Sequence, residues 1–430
     1  MTWELIRMSA GNPESKKVLI THPTGNANVR QAVLALFKAE RLDEFDTTIA
    51  WRPGSLLDRL LPAAYQSLFS RRSYRYIPEQ LVRSHPMHEM ARLLSIRLGL
   101  SRLHRNETGL FCFEAMTDAL DRLVAHSLAR RSRSGQLPAA VYAYDGCALD
   151  TFTEARKHGI RCLYEVPVSY YRSYSNLVKE ETESSPEWAS TWTGYVDSAE
   201  KLRRKEREIE LADALFVAST YSAKALQSCP GARDKTIFTI PYGAPPVGPA
   251  RELTRREDPL RILYVGSLSQ RKGISYLFAA MDQLEFPYQL TIVGRASIYP
   301  QVLRDALGAN RWIETAHHDQ VLQTMREHDV LVFPTLTDGF GLVILEAMAQ
   351  GAVVISTANS AAPDVIQNGI NGLIVPIQSS AAIAQGLTHL HDDRSYLATM
   401  SEAARQAAQV LTWESYRRQW SHAVDECLLP

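Results

Sequence analysis

The sequence predicts an α/β protein made of two doubly wound, parallel-sheet domains. Short apolar runs alternate with helical stretches along most of the chain, and that alternation implies crossover connections and parallel strands. Each half opens on a strand, a glycine-bearing turn and a helix. In the first half these are Lys17–Thr21, His22–Asn28 and Val29–Ala39; in the second they are Arg261–Val265, Gly266–Gly273 and Ile274–Leu284. Between the halves, Tyr242-Gly-Ala-Pro-Pro246 reads as a hinge, because glycine and proline punctuate regular structure. The expected division is 1–244, 245–410 and a terminal segment, 411–430.

Composition bounds the function. A chain of 430 residues with 45% hydrophobic and 22% charged residues is ordinary for a globular protein. Its formal net charge of zero argues against a nucleic-acid or polyanion partner. Five scattered cysteines without a CxxC pair suggest neither a zinc site nor a disulfide frame, and reduced thiols fit a cytosolic setting. The N-terminal stretch lacks a signal-peptide apolar region, and no apolar run approaches the ~20 residues that span a bilayer.

The remaining first-half elements follow in order. Phe45–Trp51 reads as a second strand. The region from Arg59 to Arg105 holds nine arginines against Glu79 and Glu89. Within it His88–Arg105 reads as one basic amphipathic helix, suited to an anionic membrane surface or to a solvated arginine face. Gly109–Ala129 is a helix, Ala139–Tyr144 a strand leading into Asp145-Gly146, Cys147–His158 a helix and Arg161–Val166 a strand. The Tyr- and Ser-rich Ser169–Pro186 reads as an ordered loop or lid. Val196–Leu211 is a charged helix with an exposed face. Asp213–Ser219, Tyr221–Gln227 and Thr236–Pro241 complete the half as strand, helix and strand.

In the second half, Gln289–Val293 ends at Gly294-Arg295, and Val330–Pro334, Ala352–Ser356 and Leu373–Pro376 are further strands. Ligands of such sheets sit beyond the C-terminal strand ends, so the loops after Val265, Val293, Pro334 and Ile355 should face one crevice. Trp413, Tyr416, Trp420 and Val424 recur at helical spacing, a stripe that reads as packing.

The most informative stretch is Thr335–Gly351. A helix from Phe340 to Ala349 is apolar on every side except at Glu346, which shares a face with Leu342, Leu345 and Ala349. A carboxylate there needs a partner, either a ligand hydroxyl or a buried arginine. Asp338 lies at the helix mouth, as a site acid or as an N-cap. Gly339-Phe-Gly341 exposes amides at the helix start, and Arg271 and Lys272 bring cations to another helix start. Together they can hold a diphosphate and stabilise it as a leaving group. Gly25, in the first glycine turn, is either a point of close ligand approach or a plain turn residue.

The run DGFGLVILEAMAQGAVVIST, with VGSLSQRKG upstream and NGINGLIVP downstream, resembles the group 1 (family 4) retaining glycosyltransferases. ADALFVASTYSAKAL and TIPYGAP are similar to that family as well. The likeness covers most of residues 196–415. It implies the GT-B fold: two facing Rossmann-like domains with a C-terminal helix crossing back to the first, here Trp413–Leu429. It also implies roles. Arg271 and Lys272 would bind the donor pyrophosphate, with Gly266 and Ser267 in the same loop. Asp338 would stand as first acid of an E-x7-E pattern, and Glu346 as second acid on the ribose. Phe340, Gly341 and Leu342 would give backbone contacts, and Gly25 would border sugar and acceptor. The family picture needs no cofactor beyond the nucleotide-sugar co-substrate and no metal. It implies a saccharide or lipid-linked acceptor and work at the cytoplasmic membrane face.

Three departures stand out. Asp338 replaces Glu, Asn359-Ser-Ala-Ala-Pro-Asp364 replaces a Gly-Gly-x-x-Glu pattern, and no His occurs at Tyr144-Asp145, where Asp145 or Tyr144 is the substitute candidate. A sucrose- or trehalose-type synthase, a phosphorylase, and a non-catalytic nucleotide-sugar-binding protein are the alternative readings.

Overall fold

The computed structural model describes residues 16–51, 72–192, 197–249 and 257–429. Arg59 and Val196, named above, lie outside them. The first half forms a seven-stranded sheet in the order β3-β2-β1-β4-β5-β6-β7. Its strands are β1 (Val18–His22), β2 (Leu42–Thr47), β3 (Val82–Ser84), β4 (Ala140–Tyr144), β5 (Arg161–Glu165), β6 (Ala214–Val217) and β7 (Thr236–Thr239). The second half forms a six-stranded sheet, β10-β9-β8-β11-β12-β13. These strands are β8 (Leu260–Val265), β9 (Tyr288–Val293), β10 (Arg311–Ile313), β11 (Val330–Phe333), β12 (Val353–Thr357) and β13 (Leu373–Val375). The pairings are parallel throughout both sheets. Helices on both faces bury strands such as β1, β11 and β12 along their whole length, which is why their sequences read as continuous apolar runs. The strand order reverses between β1 and β4 and between β8 and β11, so each sheet opens a crevice there.

The helix Trp413–Cys427 leaves the second half and packs on Ala27–Lys38 of the first. Trp420 is 1% exposed and meets Tyr142 edge-on at 5.0 Å between ring centroids. Tyr416, Ala423 and Val424 join the core that contains Val18 and Ile20. The aromatic stripe is therefore packing.

Several expectations need correction. The second strand is Leu42–Thr47, earlier than Phe45–Trp51. The stretch Ser169–Pro186 is not a loop. It contains the helices Ser175–Ser184 and Pro186–Ala189 and straps the two halves together. At its start Tyr170, Tyr171 and Arg172 bond to Glu206 at 2.6, 2.9 and 2.7 Å. Further on, Glu181 is fully buried and accepts from Gln270, Tyr276 and Gln378, each at 2.6 Å. Trp188 enters the core of the second half and stacks on Phe278 at 6.0 Å.

The basic helix is also shorter than read. It spans Met87–Arg97 and stops before Gly99, which takes φ +67°. Its polarity is inverted. Glu89 is buried and paired with Arg72 and Arg92, whereas Met87, Met90, Leu94 and Leu98 face solvent. Finally, the charged helix Ala199–Leu211 does not present a plain solvated face: Lys201, Arg204 and Lys205 lie against carboxylates of the first half.

Candidate active site

A cleft of ≈ 970 Å³ lies between the two sheets, at the ends of β4, β5, β8 and β9. Asp145, Ser267 and Arg271 line it, as does Arg295, which follows β9. The basic loop after β8 is locked in place. Gly273 adopts φ +71°, and a Cβ there would stand 1.9 Å from the Pro334 carbonyl oxygen, so only glycine lets this loop reach the one after β11. The two loops are then joined by Leu336 N–H donating to the Arg271 carbonyl at 2.9 Å.

Within that joint, Lys272 forms a close ion pair with Asp338, and Arg271 approaches the same carboxylate at 3.9 Å while donating to the Thr337 carbonyl at 3.0 Å. Burial lowers the Lys272 ammonium to about 8, against the pull of Asp338. Burial alone would raise Asp338, but Lys272, Arg271 and a bond from the Phe340 amide hold it below the usual carboxylate range. Asp338 is not the helix cap. That position belongs to Gly341, ahead of the helix Leu342–Ala349.

Glu346 is 16% exposed, less buried than its neighbours suggested. Burial raises its carboxyl and His318, 3.8 Å away, opposes the rise. Among the described residues no arginine pairs with it. Leu342 is half-buried beside it, and Gly266 closes β8. The Phe340 side chain is buried against Tyr242 of the hinge, with centroids 4.8 Å apart, leaving only its backbone for a ligand.

On the first-half side Asp145 accepts from the Tyr164 hydroxyl at 2.9 Å and pairs with Lys205 at 3.3 Å. Gly25 sits in the turn after β1, outside the cleft lining. The histidine absent at Tyr144 has a neighbour from another strand: the buried ring of His22, at the end of β1, lies 4.2 Å from that of Tyr144. Asp364 accepts from Thr220 N–H across the domain seam at 3.0 Å. Arg295 could have been found from its place after a strand-ending glycine. Glu181 and Thr191, whose hydroxyl accepts from the Gln270 amide at 2.8 Å, carry no such signal, because they lie in a polar, pattern-free stretch.

Two facing Rossmann-like domains with a cationic loop at the cleft define the GT-B class. Residues 259–393 match the family model "Glycosyl transferases group 1", so the chain contains a group 1 glycosyltransferase domain. A glycosyltransferase of Methanocaldococcus jannaschii, itself uncharacterised, is 25% identical over 156 residues, 35% of this chain and 44% of that protein. The chain thus spans less than half the length of that relative. The sucrose-phosphate synthase structure of Thermosynechococcus elongatus superimposes with a TM-score of 0.65 at 19% identity, over 96% of this chain and 98% of the other. Anabaena HepE in complex with UDP-glucose gives 0.62 at 16% identity, over 95% and 99%. At these identities the two structures establish the fold.

Proposed function

We propose that the chain is a retaining, family 4 glycosyltransferase that moves a sugar from a UDP- or GDP-sugar to a saccharide or lipid-linked acceptor in surface polysaccharide or glycolipid synthesis. The observation that carries this reading is the joint between the loops after β8 and β11. It places Arg271 and Lys272 beside Asp338, close to a helix start and at the switch point of the second sheet. Arg271 and Lys272 hold the diphosphate and offset the charge that develops as it leaves. Asp338, a carboxylate at neutral pH, orients Lys272, and Glu346 accepts from the ribose. The bond from the sugar's anomeric carbon to the phosphate oxygen breaks and a bond to the acceptor oxygen forms on the same face. The acceptor hydroxyl proton passes to the departing phosphate. Asp145 borders the acceptor.

The inverted helix supports a membrane-associated setting. Met87, Met90, Leu94 and Leu98 form an exposed apolar stripe, and exposed Arg97, Arg102 and Arg105 flank it. Apolar side chains ringed by cations fit an anionic phospholipid surface. Leu110 and Phe113 are exposed as well, and Phe113 lines the cleft. Among the described residues no helix is long and apolar enough to cross a membrane.

The test is a thermal-shift and mass-spectrometric screen of UDP-, GDP- and ADP-sugars with free-sugar and lipid acceptors. One donor should raise the melting temperature, and Glu346→Ala should weaken its binding roughly tenfold or more, the scale of a lost hydrogen bond to a charged group. Unchanged affinity removes Glu346 from the site. Product on a free sugar alone favours the synthase-type alternative, and binding without turnover on any acceptor favours a non-catalytic role.

A further inference from the structure

The cationic turn Gln270–Lys272 is held from two sides, and one of the two holds comes from the first half of the chain. On the near side lies the loop after β11, whose Leu336 N–H binds the Arg271 carbonyl. On the far side lies the strap, from the helix Ser175–Ser184 to Thr191. Gln270, fully buried and one residue before Arg271, meets the strap at two points. Its backbone N–H donates to the Thr191 hydroxyl at 2.8 Å, and its side-chain amide donates to the Glu181 carboxylate at 2.6 Å.

Both contacts are directional. The Thr191 hydroxyl gives its one proton to the Trp188 carbonyl, at 2.7 Å, so a lone pair is left to face the Gln270 N–H. Trp188 is itself fixed in the core of the second half, against Phe278. The Glu181 carboxylate takes the Gln270 side chain together with the hydroxyl of Tyr276, which belongs to the helix Ile274–Met281 directly after the turn. Burying a carboxylate is costly unless its donors are in place, so these groups are confined to one arrangement. The apolar packing of Trp188 would fasten the strap without fixing the rotation of the Gln270 peptide. Thr191 and Glu181 fix it, and that peptide leads straight into Arg271 and Lys272.

We propose that Thr191 and Glu181 are positioning residues for the diphosphate: the strap sets the turn Gln270–Lys272 in the shape that presents Arg271 and Lys272 to the cleft. Chain from the first half thereby completes the phosphate grip of the second. This inference rests on the transferase reading, in which Arg271 and Lys272 hold the donor diphosphate. It goes beyond that reading by placing part of the support of the grip outside residues 259–393, the part that matches the family model.

Two measurements test it on the full chain. The first is calorimetric titration with inorganic pyrophosphate, with uridine and guanosine as phosphate-free controls. Thr191→Val keeps the shape of the side chain and removes the acceptor, so pyrophosphate affinity should fall roughly tenfold, the scale of one unmet buried hydrogen bond. Glu181→Ala, which frees the Gln270 side chain, should act in the same direction. Thr191→Ser restores the acceptor and should restore the affinity. Nucleoside binding should be alike in all four proteins. A general loss of structure would lower nucleoside and pyrophosphate binding together, so a parallel fall overturns the inference. Unchanged pyrophosphate affinity in Thr191→Val, or no recovery in Thr191→Ser, overturns it too. The second measurement needs no variant. A ligand that stabilises the turn must, by linkage, stabilise the strap that shapes it. Pyrophosphate should therefore slow hydrogen exchange of the wild type across 181–192 as well as across 266–273. Slowing confined to 266–273 overturns the inference and leaves the donor reading intact. A wild type that binds none of pyrophosphate, UDP and GDP overturns the donor reading and this inference with it.

Discussion

Lys272 carries its charge where burial works against it. The ammonium packs over the Phe333 ring at 4.9 Å and is 11% exposed, so dehydration favours the neutral amine, and Asp338 restores part of the difference. With its pKa lowered to about 8, the free protein loses this cation as pH rises past 8. Affinity for a nucleoside diphosphate should therefore fall between pH 7 and 9, by about tenfold if the ammonium makes one charge-assisted bond. Lys272→Arg keeps its charge throughout that range and should flatten the profile. Calorimetric titration with UDP and GDP at both pH values checks this, and parallel profiles for the two proteins would exclude Lys272 from the diphosphate site. At this scale the sequence was legible in position: Arg271 and Lys272 fall in the loop after β8 and Glu346 inside the helix Leu342–Ala349, as the strand and helix patterns imply. It left Asp338 open between cap and site acid, because Asp serves both. The structure takes it out of the cap position, which Gly341 fills, and pairs it with Lys272.

Among the elements, the helix Met87–Arg97 shows how a correct pattern hides its orientation. Period 3.6 reveals two faces but not which one is buried, and the usual assumption puts the apolar face inside. Here Glu89, doubly paired with Arg72 and Arg92, turns the polar face inward. If the outward stripe docks on a bilayer, Met90→Glu with Leu94→Glu should abolish co-sedimentation with vesicles containing phosphatidylglycerol. Both side chains are exposed, so stability should change by no more than ~0.5 kcal/mol per site. A wild-type protein that ignores such vesicles at low salt sinks the membrane reading. The strap 175–189 was misread for a related reason. Its polar surface suggested a loop, but the anchors that order it, Glu181 and Trp188, find their partners in the other half of the chain, at sequence separations no local pattern reports.

For the whole molecule, alternation of strands and helices made the two sheets legible, because crossover topology follows from local period and loop length. The seam between them was not, since it depends on single close approaches. A Cβ on Gly339 would stand 1.9 Å from the Pro167 carbonyl oxygen, and the Gly339 carbonyl accepts from Ser219 and Ser222 at 2.6 and 3.1 Å. Behind this contact sits Glu165. It accepts from Asn28, on the first helix, and from the Tyr242 hydroxyl of the hinge at 3.4 Å, and Tyr242 in turn packs on Phe340 and Tyr416. Burial pushes the Glu165 carboxyl up to about 7. A carboxyl raised on folding binds its proton more tightly in the native state. Its contribution is therefore complete below about pH 4.5 and is lost as pH climbs to 7. Up to ~3 kcal/mol of stability is at stake, at about 1.4 kcal/mol per pKa unit. Glu208, also raised to about 7, adds a similar trend of its own, so the wild-type curve alone does not identify the seam. Comparison with Glu165→Gln does, because Glu208 is common to both. The variant carries a neutral amide at every pH, so its thermal midpoint should fall less than that of the wild type between pH 5 and 8. Curves that stay parallel across that range would mean that the Glu165 carboxyl does not titrate against the fold.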